Sequence, residues 1–340
     1  MNKRTLITII FSLLILLTYV NAETVTKTGT TSAKFLSIGV GSRANGIGNA
    51  FVAIANDASA MYWNPAGISQ LDHVELVANY SQWIADMSYS YIGMVFPTSQ
   101  YGSFGINTTY LNVGEMEVTT EQHPEGTGEI FHSGSYAIGI SYAKNLTDRF
   151  SIGGNLKYIN ESISNCVADA VALDVGTLFI TPFRDIRFGA SISNFGSKMQ
   201  MTGDDLLVQK DIDEQHHGNN ESVSAYLATE KFDLPLLLRV GLSGDIEPSS
   251  LVKATWAIDA GHPNDNTEYV NFGLELSFFR NMINVRGGMN KLFLEEREEN
   301  LSLGGGLNLN INNILINLDY AYQSFERFDL THQYTLRLSF

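Results

Sequence analysis

From residue 73 to the last residue, apolar side chains alternate with small or polar ones in segment after segment, and this two-residue period restricts the fold more than any other feature. Successive side chains of a strand point to opposite faces, so the alternation describes strands whose two faces meet different surroundings. Tyr136, Ile138, Ile140 and Tyr142 interleave with Ser135, Ala137, Gly139 and Ser141, and Val270, Phe272, Leu274, Leu276 and Phe278 with Asn271, Gly273, Glu275 and Ser277. Strands are expected near 73–81, 87–96, 101–111, 131–143, 149–161, 167–180, 185–195, 235–246, 250–260, 268–279, 282–290, 300–310, 313–323 and 331–340, fourteen in all. An even number returns both ends of a closed ring to one side. The connections agree: 97–100, 145–148, 181–184, 247–249 and 310–312 are tight and rich in turn formers, whereas 112–130, 196–234 and 291–299, of opposite parity, are longer and more polar.

The setting follows from the N-terminus. Lys3 and Arg4 precede an apolar run from Leu6 to about Leu17, and Val20-Asn21-Ala22 lead into Glu23-Thr24. These are the parts of a secretory signal peptide, expected to span residues 1–22 and to be cleaved after Ala22. A membrane anchor is the other reading, but the run is shorter than the roughly 20 residues a spanning helix needs. No later run is long enough either, which leaves an exported soluble β-sandwich or an antiparallel transmembrane β-barrel of the outer membrane. Alternation alone fits both, and the sorting of connections by length favours the all-β barrel.

Several function classes lose support. Cys166 is the only cysteine, so no intramolecular disulfide can form. A net charge of −15 argues against a nucleic-acid partner, which needs clustered Lys and Arg. His216-His217 sit in an acidic loop where scattered carboxylates suit solvation better than a metal. No set of residues with a catalytic context is present, so neither an enzyme nor a cofactor is expected.

In a barrel the apolar set faces lipid, with Tyr136, Tyr142, Phe150, Tyr158, Tyr320 and Tyr322 suited to interfacial aromatic girdles or simply to strands. The inward set then carries charges of both signs: Lys157, Asp174, Arg187, Arg239, Lys253, Asp259, Glu275, Arg286, Asp319 and Arg337. Tyr334, Leu336, Leu338 and the final Phe340 alternate with polar residues. This pattern resembles the signal by which barrels reach their assembly machinery.

Residues 35–72 do not alternate; they are compact and rich in small residues, so residues 23–72 are expected to form a plug within the barrel of 73–340. Asp57 is placed to cap a helix over Ala58 to Trp63, ended by Pro65 and Gly67. Asn64, Pro65, Ala66 and Gly67 are expected to turn the chain. Asn56 belongs to the same segment, and Arg43 is expected to pair with an acidic lumen residue. Gly39-Val-Gly41-Ser-Arg-Ala44 has glycines spaced like a dinucleotide-binding turn but lacks the βαβ context and the acidic partner.

The run from Gly41-Ser-Arg-Ala-Asn-Gly-Ile-Gly through Asn64-Pro65-Ala66-Gly67 resembles the N-terminal region of the PorV/PorQ family, within the FadL-like outer-membrane proteins. Ile186-Arg-Phe-Gly-Ala-Ser-Ile-Ser-Asn-Phe-Gly196 is similar to a mid-barrel strand of that family. The resemblance implies a fourteen-stranded barrel with an N-terminal hatch. It also implies one of two roles: a non-enzymatic component of type IX-like protein secretion or surface attachment, or a passive transporter of hydrophobic molecules. Outer-membrane lipid, the assembly machinery and either secretion or cargo proteins or a hydrophobic small molecule would be the partners. From Asp204 to Asp233 the long loop holds eight acidic residues against Lys210 and Lys231, a poor lining for a greasy groove, which favours the first role.

Overall fold

The computed structural model describes residues 27–340 except 99, 212–221, 250, 295–296 and 329. The leader and His216-His217 lie outside the described residues. Fourteen strands form the wall: β1 (Glu75–Gln82), β2 (Ser88–Thr98), β3 (Gly102–Glu117), β4 (Ile130–Thr147), β5 (Phe150–Ile163), β6 (Cys166–Ile180) and β7 (Arg187–Gly196), then β8 (Leu237–Ser249), β9 (Val252–Pro263), β10 (Tyr269–Phe278), β11 (Ile283–Leu292), β12 (Glu299–Ile311), β13 (Ile314–Phe325) and β14 (Thr331–Ser339). Each pairs antiparallel with its sequence neighbours, and β1 pairs with β14 from Glu75↔Ser339 to Gln82↔His332. The ring is therefore closed, with no strand edge left to find a partner, as the interior of a bilayer requires.

Side-chain distribution sets the surroundings of each face. On β4 Ile140 is 65% exposed while Ser141 beside it is 0% exposed, and the same inversion recurs around the ring. A surface built of Ile92, Phe104, Ile138, Leu156, Leu274 and Leu318 has no counterpart in water and fits lipid; the sandwich reading fails on this and on closure. The alternation arises because the outside is apolar through the middle of each strand while most inward positions are polar or small, with Val77, Tyr89, Tyr91 and Val95 as inward apolar exceptions packed on the segment.

The turns between even and odd strands are short, and β1 starts where β14 ends, on that same side. The long connection from β7 to β8 lies at the other mouth. It is more ordered than a solvated loop: Leu207–Lys210 pairs with Val223–Tyr226 as a hairpin, and Thr202–Gly203 extends the edge of β6 at Cys166 and Val167.

Inside the ring runs the segment before β1. Lys34–Ser37 is a 3-10 turn, α1 spans Ser42–Gly46, α2 spans Ala60–Trp63, and Pro65–Gln70 is a second 3-10 stretch. The helix expected over Ala58 to Trp63 is thus shorter, and Asp57 is not its cap. Ser59 stands at the cap position and makes no side-chain cap bond, while Asp57 accepts from the Ser59 N–H at 3.0 Å and its hydroxyl at 2.5 Å. The other Asp57 oxygen is held by arginines, a competition that a local capping rule does not contain.

Candidate functional site

The lumen, filled by the residue 33–71 segment, concentrates nearly all the chemistry of the molecule. Its entry is at the long-loop mouth, where Lys34 Nζ meets Asp265 at 2.5 Å and the Ser32 N–H donates to the Asp233 carbonyl at 3.0 Å. It leaves at the short-turn mouth through Leu71 and His73 into β1. At that rim His73 bonds Asp72 at 2.6 Å and holds its carboxyl below the usual range.

The segment packs so closely on the wall that glycine is needed, against segment backbone on five strands and against the side chains of Met61 or Asn64 on three more. Eight strands, β2, β3, β5, β6, β7, β10, β11 and β12, present an inward glycine (Gly93, Gly105, Gly153, Gly176, Gly189, Gly273, Gly288, Gly304) whose added Cβ would collide with the segment. At Gly153 it would lie 2.6 Å from Pro65 and Ala66, and at Gly189 2.5 Å from the Val52 carbonyl. A contact ring on so many strands leaves no side along which the segment could slide.

The Asn64-Pro65-Ala66-Gly67 phrase is explained by this packing. Asn64 is extended and caps the 3-10 stretch by accepting from the Ala66 N–H at 3.2 Å, with Pro65 at the first position, where its missing N–H costs nothing. The Asn64 amide donates to Val52 O inside the segment and Thr177 O on β6, both at 2.9 Å, so its three polar contacts tie turn to wall. Gly67 fits because a Cβ there would overlap the Ala55 carbonyl.

A chain of buried charges joins segment and wall. Arg43 meets Glu275 with two nitrogens, each at 3.0 Å, and also donates to Asn56 at 2.8 Å and Asp57 at 3.5 Å. Arg286 links Glu275 and Asp319, both at 2.6 Å. Arg337 continues from Asp319 at 3.1 Å to Asp57 at 3.2 Å. Glu75 accepts from the Ala58 N–H at 2.6 Å. Across the lumen Lys157 meets Asp174 at 2.9 Å, Arg187 meets Asp245 at 3.0 Å, and Asp259 accepts from the Val52 N–H at 2.8 Å. Arg239 stacks over Tyr62 and Trp63, 5.5 and 5.1 Å from their centroids. Removing two charges from water is unfavourable unless each is held by several partners, and each member of the central chain has them.

The glycine-spaced start of the segment also serves the wall. Gly41 adopts φ 86° before α1, and the free Ser42 N–H at that helix start goes to Thr335 Oγ1 on β14 at 2.8 Å, not to a phosphate. Asn45 pairs with Gln333.

Two cavities remain. One of about 80 Å³ lies under the long loops, between Trp63, Trp83, Arg239 and Tyr269. The other, about 570 Å³, opens at the short-turn side and is lined by Arg43, Arg187, Lys253, Glu275, Arg280, Asn317 and Arg337 among others. Among the described residues no group of three or more His, Cys, Asp and Glu is placed to hold a metal. The glycine ring was missed by sequence reasoning; its signal is the recurrence of glycine at inward mid-strand positions.

A closed antiparallel ring of fourteen strands with an apolar outer face and an inward-folded N-terminal segment defines a transmembrane β-barrel of the outer-membrane type. The profile of the type IX secretion system protein PorV matches residues 21–205, more than half of the chain, and the protein belongs to that family. Solved structures share the fold at 12% identity. Over 88% of this chain they include the CymD monoaromatic hydrocarbon channel (96% of its chain, TM-score 0.57) and the Pseudomonas putida toluene transporter TodX (97%, 0.56). A Pseudomonas aeruginosa FadL homologue aligns over 98% of its chain at TM-score 0.53. No curated protein matches by sequence.

Proposed function

We propose that this barrel is a non-enzymatic component of protein secretion or surface attachment whose lumen stays shut, its partners being secretion-system or cargo proteins. The observation that carries this reading, beside family membership, is the glycine ring: a segment seated against inward glycines of eight strands is a stopper built to stay. Residues 23–72 then act as hatch, 73–340 as barrel, and 1–22 as a leader removed on export. N-terminal sequencing of the mature protein tests that removal, with Glu23 as the expected first residue.

The second reading, passive uptake of a hydrophobic solute, is favoured by the fold shared with the monoaromatic hydrocarbon channel CymD and the toluene transporter TodX. The polar lining of the larger cavity counts against it, since hydrophobic sites are mostly apolar. The deciding experiment is mass spectrometry, for protein and lipid, of the tagged chain purified from its own outer membrane in mild detergent. Stoichiometric secretion or surface proteins are expected; a barrel that comes out alone with a fatty acid or aromatic compound would replace this reading with uptake.

A further inference from the structure

The 570 Å³ cavity at the short-turn mouth has the size of a ligand site, and its charges are sorted by depth. Deep inside, Arg43, Arg286 and Arg337 are matched by Asp57, Glu75, Glu275 and Asp319. Toward the rim formed by β7 to β11 the balance reverses. Arg187 and Lys253 share the one carboxylate of Asp245, each at 3.0 Å, and Arg280 has no ion-pair partner among the described residues. Among the cavity-lining residues of this rim, three cations stand against one carboxylate, an excess of two positive charges, in a chain whose net charge is −15.

Asn281 and Asn310, both exposed, also line the cavity, and their side-chain amides make no hydrogen bond among the described residues. Each offers a donor and an acceptor, which suits a peptide group. No Trp, Tyr or Phe lines the cavity, so there is no stacking platform for a base or sugar ring. Apolar lining is confined to Ile54, Leu71, Met282 and Leu315, too little for an acyl chain.

We propose that this vestibule binds a short carboxylate-bearing segment of a periplasmic polypeptide. Its acidic side chains meet Arg187, Lys253 and Arg280, and its peptide groups meet the amides of Asn281 and Asn310. The inference rests on the cavity alone, and binding to the purified barrel reads out whether or not the secretion reading holds.

The test is fluorescence-anisotropy titration of the full barrel in detergent with the hexapeptide Asp-Ser-Glu-Asn-Asp-Gly, carrying an uncharged dye, beside a twin with amides in place of its carboxylates. The acidic peptide is expected to bind about tenfold or more tightly than the neutral one. Lys253→Gln combined with Arg280→Gln should remove that advantage. Asp245→Asn, which deletes the rim's one carboxylate, should tighten acidic-peptide binding, an opposite change that general loss of structure would not produce. Arg149→Gln alters a cation in a neighbouring short turn outside the cavity and should change nothing. Equal affinity for the two peptides, or acidic-peptide binding indifferent to both the Lys253/Arg280 and Asp245 variants, overturns the proposal.

Discussion

Glu275 holds Arg43 from the segment and Arg286 from the wall, so it is a residue at which the two parts meet electrostatically. Glu275→Ala leaves two buried guanidinium groups short of a partner, a loss of about 3–5 kcal/mol. Denaturant titration read by the gel shift between folded and unfolded barrel should show it, and the Arg43→Met/Glu275→Leu pair should cost less than Glu275→Ala alone. Shape is tested separately. Gly273→Ala puts a methyl group into Ile47 and should cost about 1–3 kcal/mol, whereas Gly287→Ala, whose nearest neighbour is a leucine methyl at 3.7 Å, should be near neutral.

At the scale of elements, the outer face of each strand is set by lipid. Leu274→Arg on β10 should lower stability by about 2–4 kcal/mol in bilayers, since a mid-bilayer arginine has no partner, and an equal loss for an inward substitution at Ser277 would contradict the assigned faces. This is also why the strands were legible in sequence: with lipid on one side and a polar interior on the other, Ile138 and Ser141 could not exchange roles. Bounds were read two or more residues short at β3 and β4, because their ends leave the apolar band and lose alternation. The hairpin of Leu207–Lys210 with Val223–Tyr226 was not legible, since it packs on no two-faced environment. Asp57 was read as a cap from its local position, whereas its partners Arg43 and Arg337 come from far along the chain. The glycines had been read as small strand residues; that they meet the segment is a contact across the lumen, which periodicity does not encode.

For the whole molecule, the proposed closure of the lumen by the segment has a direct test. Deleting residues 35–67 should raise the permeability of outer-membrane vesicles to small solutes, measured by liposome swelling, and an unchanged rate would refute closure by this segment. The wall left behind would also lose Arg43 from Glu275 and the Val52 N–H from Asp259, so the deletion should melt earlier than the full chain.

The seam has its own lesson. The Thr335 hydroxyl on β14 donates to Asn79 on β1 at 2.7 Å while its oxygen receives the Ser42 N–H, so first strand, last strand and inner segment share one oxygen. Gln333 and Arg337, the inward residues on either side, hold Asn45 and Asp57. Without the last strand the inner segment lacks the seats that Thr335, Gln333 and Arg337 provide, and without the segment the last strand closes over unsatisfied groups. Seam closure and seating of the segment are therefore one coupled event, each supplying partners that the other needs.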